Sequence, residues 1–195
     1  MRDAWLERWL GAMRAAPCGS KVLELGCDSG RDTAYLARNG FEVVATDVAT
    51  EALDACTRAV PQARFVKHDL REPMPFRDAE YGVVLASLCL HYFGWTQTEA
   101  MVAEIRRCLA PEGLLLCRLN STRDVNFGAQ GHEMIEPDYF AVPQRFGGRK
   151  RFFDTRSVDK LFGAGWEKLS KEELTIDRYE MPKVVWEVVL KRAES

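Results

Sequence analysis

Glycine and acidic residues recur at positions where they could bind a nucleoside. The run ELGCDSG at residues 24–30 follows a short apolar stretch, and its two glycines permit a tight turn that approaches a ligand closely. Asp47 ends the next apolar stretch, a placement typical of a carboxylate that binds both ribose hydroxyls. Asp69 ends a third, where it could accept a hydrogen bond from an adenine amino group beside Leu70. Each residue alone is ordinary, but together they predict a nucleoside site.

The first loop distinguishes between classes of nucleoside cofactor. In a dinucleotide loop of the form G-x-G-x-x-G that starts at Gly26, Asp28 and Arg31 would occupy the second and third glycine positions. An aspartate there would repel a pyrophosphate. The G-K-[ST] sequence of a phosphate-binding loop is absent from the chain. The residues therefore favour an adenosine cofactor that lacks phosphates and carries a sulfonium and an amino-acid tail, because a cationic centre is attracted to acids.

Strand and helix patterns alternate along the chain and would bring these residues together. A short amphipathic helix is expected within residues 1–16. The expected strands are 21–25, 41–47, 63–67, 81–87, 113–119, 166–176 and 183–190, and the expected helices are 31–39, 50–60, 96–109 and 154–163.

This order predicts an α/β fold with a Rossmann-like, doubly wound and mostly parallel sheet of seven strands. The last two strands follow each other without a helix, so we expect them to form an antiparallel pair at one edge. Such a sheet binds ligands at the carboxyl ends of its strands, beside strand one. Residues 96–99 resemble a capping box, and Pro111–Gly113 is expected to form a turn.

Composition excludes several classes of protein. The 195 residues include 27 basic and 29 acidic side chains, so the net charge of −2 argues against nucleic acid as a partner. No apolar run approaches the roughly 18 residues that a membrane span requires. Asp3 and Glu7 interrupt the N-terminal region where a signal peptide would be apolar, which favours the cytoplasm. Without a linker or a repeat, we expect residues 1–195 to form a single domain.

The cysteines give no sign of a metal site or of disulfides. All six are widely spaced, with no C-x-x-C pair and no cluster with histidine, and several lie in apolar runs. We expect them to be reduced and buried, and we expect no bound metal.

The run VLELGCDSGR at 22–31 resembles motif I of the class I S-adenosylmethionine-dependent methyltransferases. Asp47, Asp69 and Pro111–Gly113 resemble later landmarks of that family, and the terminal strand pair is similar to the end of its sheet. The pattern L-G-C-x-x-G-R-x-x-x-Y-L-A-x-x-G-F is most similar to the small tellurite-resistance-type and thiol-type members. The resemblance implies S-adenosyl-L-methionine as cofactor and S-adenosyl-L-homocysteine as product. Asp28 departs from it, because glycine is commonest there.

The resemblance also implies roles for individual residues. Glu24 would lie near the amino end of the cofactor, and Asp47 would bind the ribose. The backbone of Gly26, Cys27 and Gly30 would line the methionine part, and Asp28 would also belong to the cofactor site. The adenine would contact Val48, Asp69 and Leu70, and Ser87 would offer its backbone carbonyl to the amino group. The sequence does not decide whether Arg2, Arg8 or Arg31 would bind the carboxylate of the cofactor.

The methyl acceptor is expected beyond the fourth strand, in the run SLCLHYF at 87–93. His91 could act as a general base there and Tyr92 could orient a nucleophile, although both could equally serve packing alone. The run lacks the [DN]-P-P-[YFW] sequence of many amino-group methylases and the Pro-Cys nucleophile of cytosine-C5 methylases.

Residues 120–153 form a long segment without a clear period, which we interpret as a lid over the acceptor pocket. Asn120 and Arg123 are expected to anchor it, and His132 and Tyr139 are further candidate acceptor contacts. A short basic run could attract an anionic acceptor or could simply be a solvated face; it consists of Arg145, Arg149, Lys150 and Arg151.

The sequence thus predicts an enzyme of the methyltransferase class EC 2.1.1 that acts on a small molecule: a thiol, an oxyanion, a hydroxyl or an amine. The methyl would pass by in-line SN2 displacement. A methyltransferase of a macromolecule and a non-catalytic cofactor-binding protein are the alternatives, and the first loop argues against a dehydrogenase. The sequence leaves the acceptor's identity and the oligomeric state open.

Overall fold

Seven strands form one twisted sheet in the order β3-β2-β1-β4-β5-β10-β9. The computed structural model describes residues 5–18, 21–143, 148–177 and 179–194, so Arg2 and Arg145 lie outside it. The strands are β1 (Lys21–Leu25), β2 (Glu42–Asp47), β3 (Arg64–Lys67), β4 (Tyr81–Ser87), β5 (Leu109–Asn120), β9 (Trp166–Ile176) and β10 (Lys183–Arg192). Pairing is parallel from β3 to β5 and antiparallel for β10 with both β5 and β9. The predicted fold class is confirmed, including the antiparallel edge pair.

Helices cover both faces of this sheet. They are α1 (Leu10–Ala15), α2 (Arg31–Arg38), α3 (Thr50–Ala59), α4 (Trp95–Cys108) and α5 (Thr155–Leu161), and a 3-10 turn (Glu7–Trp9) precedes α1. Apolar side chains of α1 to α3 pack on one face of the sheet, and those of α4 and α5 pack on the other. Burial on both faces explains why the central strands are almost wholly apolar in sequence.

Two local features differ from the sequence-based expectation. Helix α4 begins at Trp95 with Gly94 at its N-terminal boundary, and the hydroxyl of Thr98 donates back to the Gly94 carbonyl at 3.0 Å. The expected capping box at 96–99 therefore does not form, because Thr96 lies inside the helix. Pro111–Gly113 lies within β5 as an irregularity in its pairing with β4, and Glu112 there has a positive φ of 64°.

The segment between β5 and α5 contains a second, three-stranded antiparallel sheet, which the sequence did not predict. Its strands are β6 (Met134–Glu136), β7 (Tyr139–Ala141) and β8 (Arg149–Arg151), in that order. The two ends of the segment meet, since the backbone N–H of Phe153 donates to the carbonyl of Asn120 at 2.8 Å. The inserted sheet is therefore rooted at the carboxyl end of β5.

An ion pair attaches the N-terminal turn to strand β10. Arg8 donates to Glu187 on β10 at 2.6 Å, and the same carboxylate accepts from buried Arg118 on β5 at 2.7 Å. The guanidinium of Arg118 also lies 4.2 Å from the centre of the Trp5 ring. Arg8, a candidate for the cofactor carboxylate, is thus already engaged within the fold. No helix among the described residues has the length and apolarity that a membrane crossing requires.

Candidate functional site

The loop after β1, residues 26–30, packs closely against cysteines of the protein interior. Gly26 and Gly30 both have positive φ angles, 65° and 69°. A Cβ atom at Gly26 would lie 2.7 Å from the Cβ of Cys89, and one at Gly30 would lie 2.7 Å from the Sγ of Cys56. Glycine is therefore required here by backbone conformation and by packing, before any ligand is considered.

Asp47 at the end of β2 organises this loop. One oxygen of its carboxylate accepts the backbone N–H of Asp28 at 2.9 Å, and the other accepts that of Ala49 at 3.0 Å. Asp28 has a φ of 46°, a left-handed conformation that an aspartate tolerates better than most side chains. This conformation accounts for the preference for glycine at that position.

Glu24 lies inside the sheet next to the loop. Its side chain is buried, and one carboxylate oxygen accepts a hydrogen bond of 2.5 Å from the hydroxyl of Thr33 on α2. In the loop itself, the backbone N–H of Cys27 donates to the Thr46 carbonyl at 2.9 Å, and the Cys27 thiol is buried. Glu24 and Asp47 thus bring two carboxylates to the carboxyl ends of adjacent strands.

The residues that follow β2 and β3 include two apolar side chains and one carboxylate. Val48 directly follows Asp47 and remains half exposed, and Leu70 is partly buried. Asp69 forms an ion pair of 2.5 Å with Arg71, whose hydrogen bonds lower the pKa of the Asp69 carboxyl to about 2. Asp69 is therefore ionised at neutral pH and already has a cationic neighbour.

Two polar side chains at the ends of β4 and β5 have no hydrogen-bond partner. The hydroxyl of Ser87 is buried without one, and so are both amide atoms of Asn120, whose side chain is fully buried. Buried polar groups are usually paired, so such positions indicate a place where a ligand or a water completes the bonding.

A cleft opens beyond β4, beside the first loop. It is lined by Leu88, His91, Tyr92, Phe127, Lys150, Tyr179 and Lys183. Cys89, the residue that packs against Gly26, lies between Leu88 and His91, so the loop and the cleft adjoin. The free volume of the cleft is about 50 Å³, enough for a few water molecules.

His91 and Tyr92 lie in the 3-10 turn Leu90–Tyr92 and both line this cleft. The side chain of His91 is 2% exposed, and its Nδ1 atom has no hydrogen-bond partner. Burial and the nearby charges of Lys183 and Lys150 lower the pKa of His91 well below its usual value. The imidazole is therefore neutral at pH 7.

Lys183, at the start of β10, is buried beside the cleft. Its ammonium group donates to the buried carboxylate of Asp124 at 3.0 Å and lies 5.0 Å from the centre of the Phe127 ring. Burial lowers the pKa of this lysine, and the contact with Asp124 opposes that shift.

The candidate acceptor contacts in the inserted segment lie in different places. Tyr139 is buried and donates its hydroxyl to the carbonyl of Tyr92 at 3.1 Å, so it supports the wall of the cleft. Arg123 pairs with Glu173 on β9 at 2.9 Å, and His132 is half buried; neither lines the cleft. Asn120 lies at the root of the segment.

The described part of the basic run is divided between three environments. Arg149 is exposed, Lys150 reaches the cleft, and Arg151 is buried with an ion pair of 2.5 Å to Glu136. Tyr179 and Lys183 were not singled out in the sequence. A lone lysine that opens the apolar run KVVWEVVL at 183–190 was the available signal for Lys183.

The cysteines and acids offer no alternative chemistry in the described residues. Five thiols are buried and only Cys18 is exposed. Burial raises the pKa of the buried thiols, that of Cys108 to about 11. No group of three potential metal ligands occurs within the part of the chain that the structure describes.

Comparison with known proteins finds methyltransferases among those similar to this chain. Residues 22–113 match the model of a methyltransferase domain. An uncharacterised methyltransferase of Synechocystis sp. is 38% identical over 96 residues, which are 49% of this chain and 45% of that protein. A putative methyltransferase of Bacillus subtilis is 30% identical over 62% of this chain and 49% of its own length. The chain spans about half the length of these curated relatives.

Solved structures agree on the fold. A methyltransferase described as S-adenosylmethionine-dependent, from Methanosarcina mazei, superposes with a TM-score of 0.76 at 15% identity over 90% of this chain and 93% of its own. The 1,6-didemethyltoxoflavin-N1-methyltransferase of Burkholderia thailandensis, solved with its substrate and S-adenosylhomocysteine, reaches 0.71 at 19% identity over 99% and 82%. Residues 22–113 thus match the methyltransferase-domain family, and the sheet that contains them has the class I S-adenosylmethionine-dependent methyltransferase fold.

Proposed function

We propose that this protein is an S-adenosylmethionine-dependent methyltransferase that acts on a small-molecule acceptor. The observation that carries the proposal is the junction of two features: a loop pre-shaped by Asp47, and a small cleft that adjoins it through Cys89. A cofactor site and an acceptor site must meet in this way for a group to pass between them.

The residues at the strand ends fit this cofactor. Glu24 and Asp47 supply negative charge suited to a cationic ligand, and half-exposed Val48 supplies an apolar surface for a base. The unpartnered hydroxyl of Ser87 is available to a polar tail. The residues proposed to hold the cofactor are Glu24, Gly26, Cys27, Asp28, Gly30, Asp47, Val48, Asp69, Leu70 and Ser87.

When bound, S-adenosylmethionine supplies a methyl group already activated by a positive sulfur. The protein's contribution is then alignment of the acceptor and exclusion of water. The buried turn at Leu90–Tyr92 does both, since His91 and Tyr92 line the cleft and the Tyr139 hydroxyl holds the backbone of Tyr92. His91 is the candidate base for an acceptor hydroxyl or amine, but the burial and lysine charges that lower its pKa make it a weak one, so an acceptor that ionises without help from the protein suits the cleft better.

The small volume of the cleft supports a small acceptor, and the toxoflavin enzyme of the same fold provides a precedent for one. Exposed Met134 and Ile135 on β6 favour a second candidate, a methyltransferase that docks a macromolecule on the inserted sheet. Retention of nucleic acid or protein during purification would distinguish this candidate from the first.

The first test is calorimetric titration with S-adenosylhomocysteine and, separately, with NAD. We expect binding of the first alone. Asp47→Ala removes the acceptor of two backbone hydrogen bonds as well as the ribose ligand, so the affinity should fall at least about tenfold. Asp54→Ala, which removes an exposed aspartate on α3, is the matched control and should bind normally. Failure of the folded wild-type protein to bind S-adenosylhomocysteine would refute the proposal.

A further inference from the structure

The charge of the acceptor cleft has one sign. Of the described residues that line it, two carry a formal charge, and both are lysines, Lys150 and Lys183. Asp124, which pairs with Lys183 at 3.0 Å, is 1% exposed and lies behind the lining. Among the described lining residues, a molecule that enters the cleft therefore meets two ammonium groups and no carboxylate.

The charges of the two lysines set the electrostatic potential where an acceptor would bind. His91 lines the same cleft, is 2% exposed and has an unpartnered Nδ1. The positive charges of Lys150 and Lys183 disfavour a proton on this imidazole. The same field, in surroundings that exclude water, favours loss of a proton from any acidic group placed beside it.

The remaining lining suits a compact organic body. Phe127 and Tyr179 pack against each other with ring centres 5.6 Å apart, and Leu88 completes an apolar wall. An apolar body with a negative end would contact this wall and direct its charge toward the lysines.

We propose, resting on the function proposed above, that the methyl acceptor is a small organic acid that binds in the cleft as its anion, with Lys150 and Lys183 as counter-charges. Its proton has gone to solvent before the transfer. The anionic atom forms the new bond to the methyl carbon, the carbon–sulfur bond breaks, and that electron pair returns to sulfur. The methylated product has lost the negative charge that the lysines attract, which favours its release.

The binding test uses two probes of the same shape and different charge, benzoate and benzamide, titrated into the protein saturated with S-adenosylhomocysteine. We expect benzoate to bind at least about tenfold more tightly than benzamide. Lys150→Met should reduce this preference several-fold, and so should the double variant Lys183→Met/Asp124→Asn, which avoids a buried unpaired carboxylate. Lys168→Met, on the outer strand β9, should leave it unchanged.

The turnover test measures S-adenosylhomocysteine release with para-substituted thiophenols, which differ in acidity and little in size. At pH 7, the KM should fall as the fraction of thiolate rises, and Lys150→Met should weaken this dependence. Equal binding of benzoate and benzamide, in a protein that does bind S-adenosylhomocysteine, overturns the inference alone. Absence of S-adenosylhomocysteine binding overturns the proposed function together with it.

Discussion

At the scale of single residues, the first loop depends on the contacts behind it. Gly30 faces the thiol of Cys56, and that thiol also lies 3.3 Å from the carbonyl of Asp28. The loop is therefore shaped by close packing between β1, α2 and α3. These contacts within the protein hold the loop in its conformation, which reduces the ordering that ligand binding would require.

Gly30→Ala should destabilise the protein by about 2–3 kcal/mol, because the added methyl overlaps Cys56 and the backbone keeps a positive φ. The cost should fall by about 1 kcal/mol in a Cys56→Ala background, where only the backbone strain remains. Urea denaturation of the four proteins measures this coupling.

Gly11→Ala is the control, because a Cβ at this position in the first turn of α1 meets no atom within 4 Å. This change should stabilise the protein by about 0.5–1 kcal/mol. Equal costs of Gly30→Ala with and without the Cys56 thiol would show that packing against α3 does not constrain the loop.

The sequence predicted which residues would gather at this loop but only part of the reason. Asp47 and Gly26 were expected as contacts of a ligand, and the structure adds roles within the protein for both. Such packing joins residues far apart in the chain, such as Gly26 and Cys89, so no local sequence pattern predicts it.

At the scale of elements, one buried ion pair connects β10 to the root of the inserted segment. Lys183 opens β10, and Asp124 follows β5 by a few residues. Both side chains are almost fully buried, so each depends on the other to compensate its loss of hydration.

Asp124→Ala should destabilise the protein by about 3–5 kcal/mol, since it leaves a buried ammonium group without its partner. The double variant Asp124→Asn/Lys183→Met should recover most of that loss, because neither remaining side chain carries a charge. Thermal and urea unfolding measure both. If the double variant is no more stable than the single one, the pair is not the source of the stability.

Sequence patterns predicted the seven strands of the main sheet and missed the three strands of the inserted sheet. Strands β1 and β4 are continuous apolar runs covered on both faces, a signal contained within a few residues. Strands β6 to β8 have three residues each, and all of β6 is exposed, so they lack such a signal. The cleft was only partly predictable because Phe127, Lys150, Tyr179 and Lys183 come from three separate segments.

At the scale of the whole molecule, two buried histidines couple stability to pH. Burial lowers the pKa of His68, and burial with nearby lysines lowers that of His91. The unfolded chain binds protons at these positions near pH 6.5, before the folded protein does. Their contribution is therefore complete above that pH and is lost as the pH falls toward the folded values.

Between pH 7 and pH 5, the free energy of unfolding should decrease by about 1 kcal/mol or more, since one pKa unit corresponds to about 1.4 kcal/mol. His91→Asn should flatten this slope. The stabilisation from Asp69 is complete throughout this range and adds nothing to the slope, because it is lost only as the pH falls from about 3.8 toward the folded pKa of about 2. Urea titrations at several pH values give the slopes.

Should His91→Asn fail to fold, NMR titration of the wild-type imidazoles provides the same test. The His91 resonances should show no protonation near pH 6, in contrast to an exposed histidine. A His91 that titrates at its ordinary value would contradict both the buried placement and the predicted slope.

The two edge strands of the main sheet, β3 and β9, also affect the tendency of this protein to aggregate. A free strand edge is a template on which another chain can add by backbone hydrogen bonds. Here β3 has only four residues and begins and ends with a cation, and β9 presents exposed charges, among them Lys168 and Glu172. A strand that joined either border would have to desolvate these charges, so the arrangement that ends the sheet also protects the protein against aggregation through its edges.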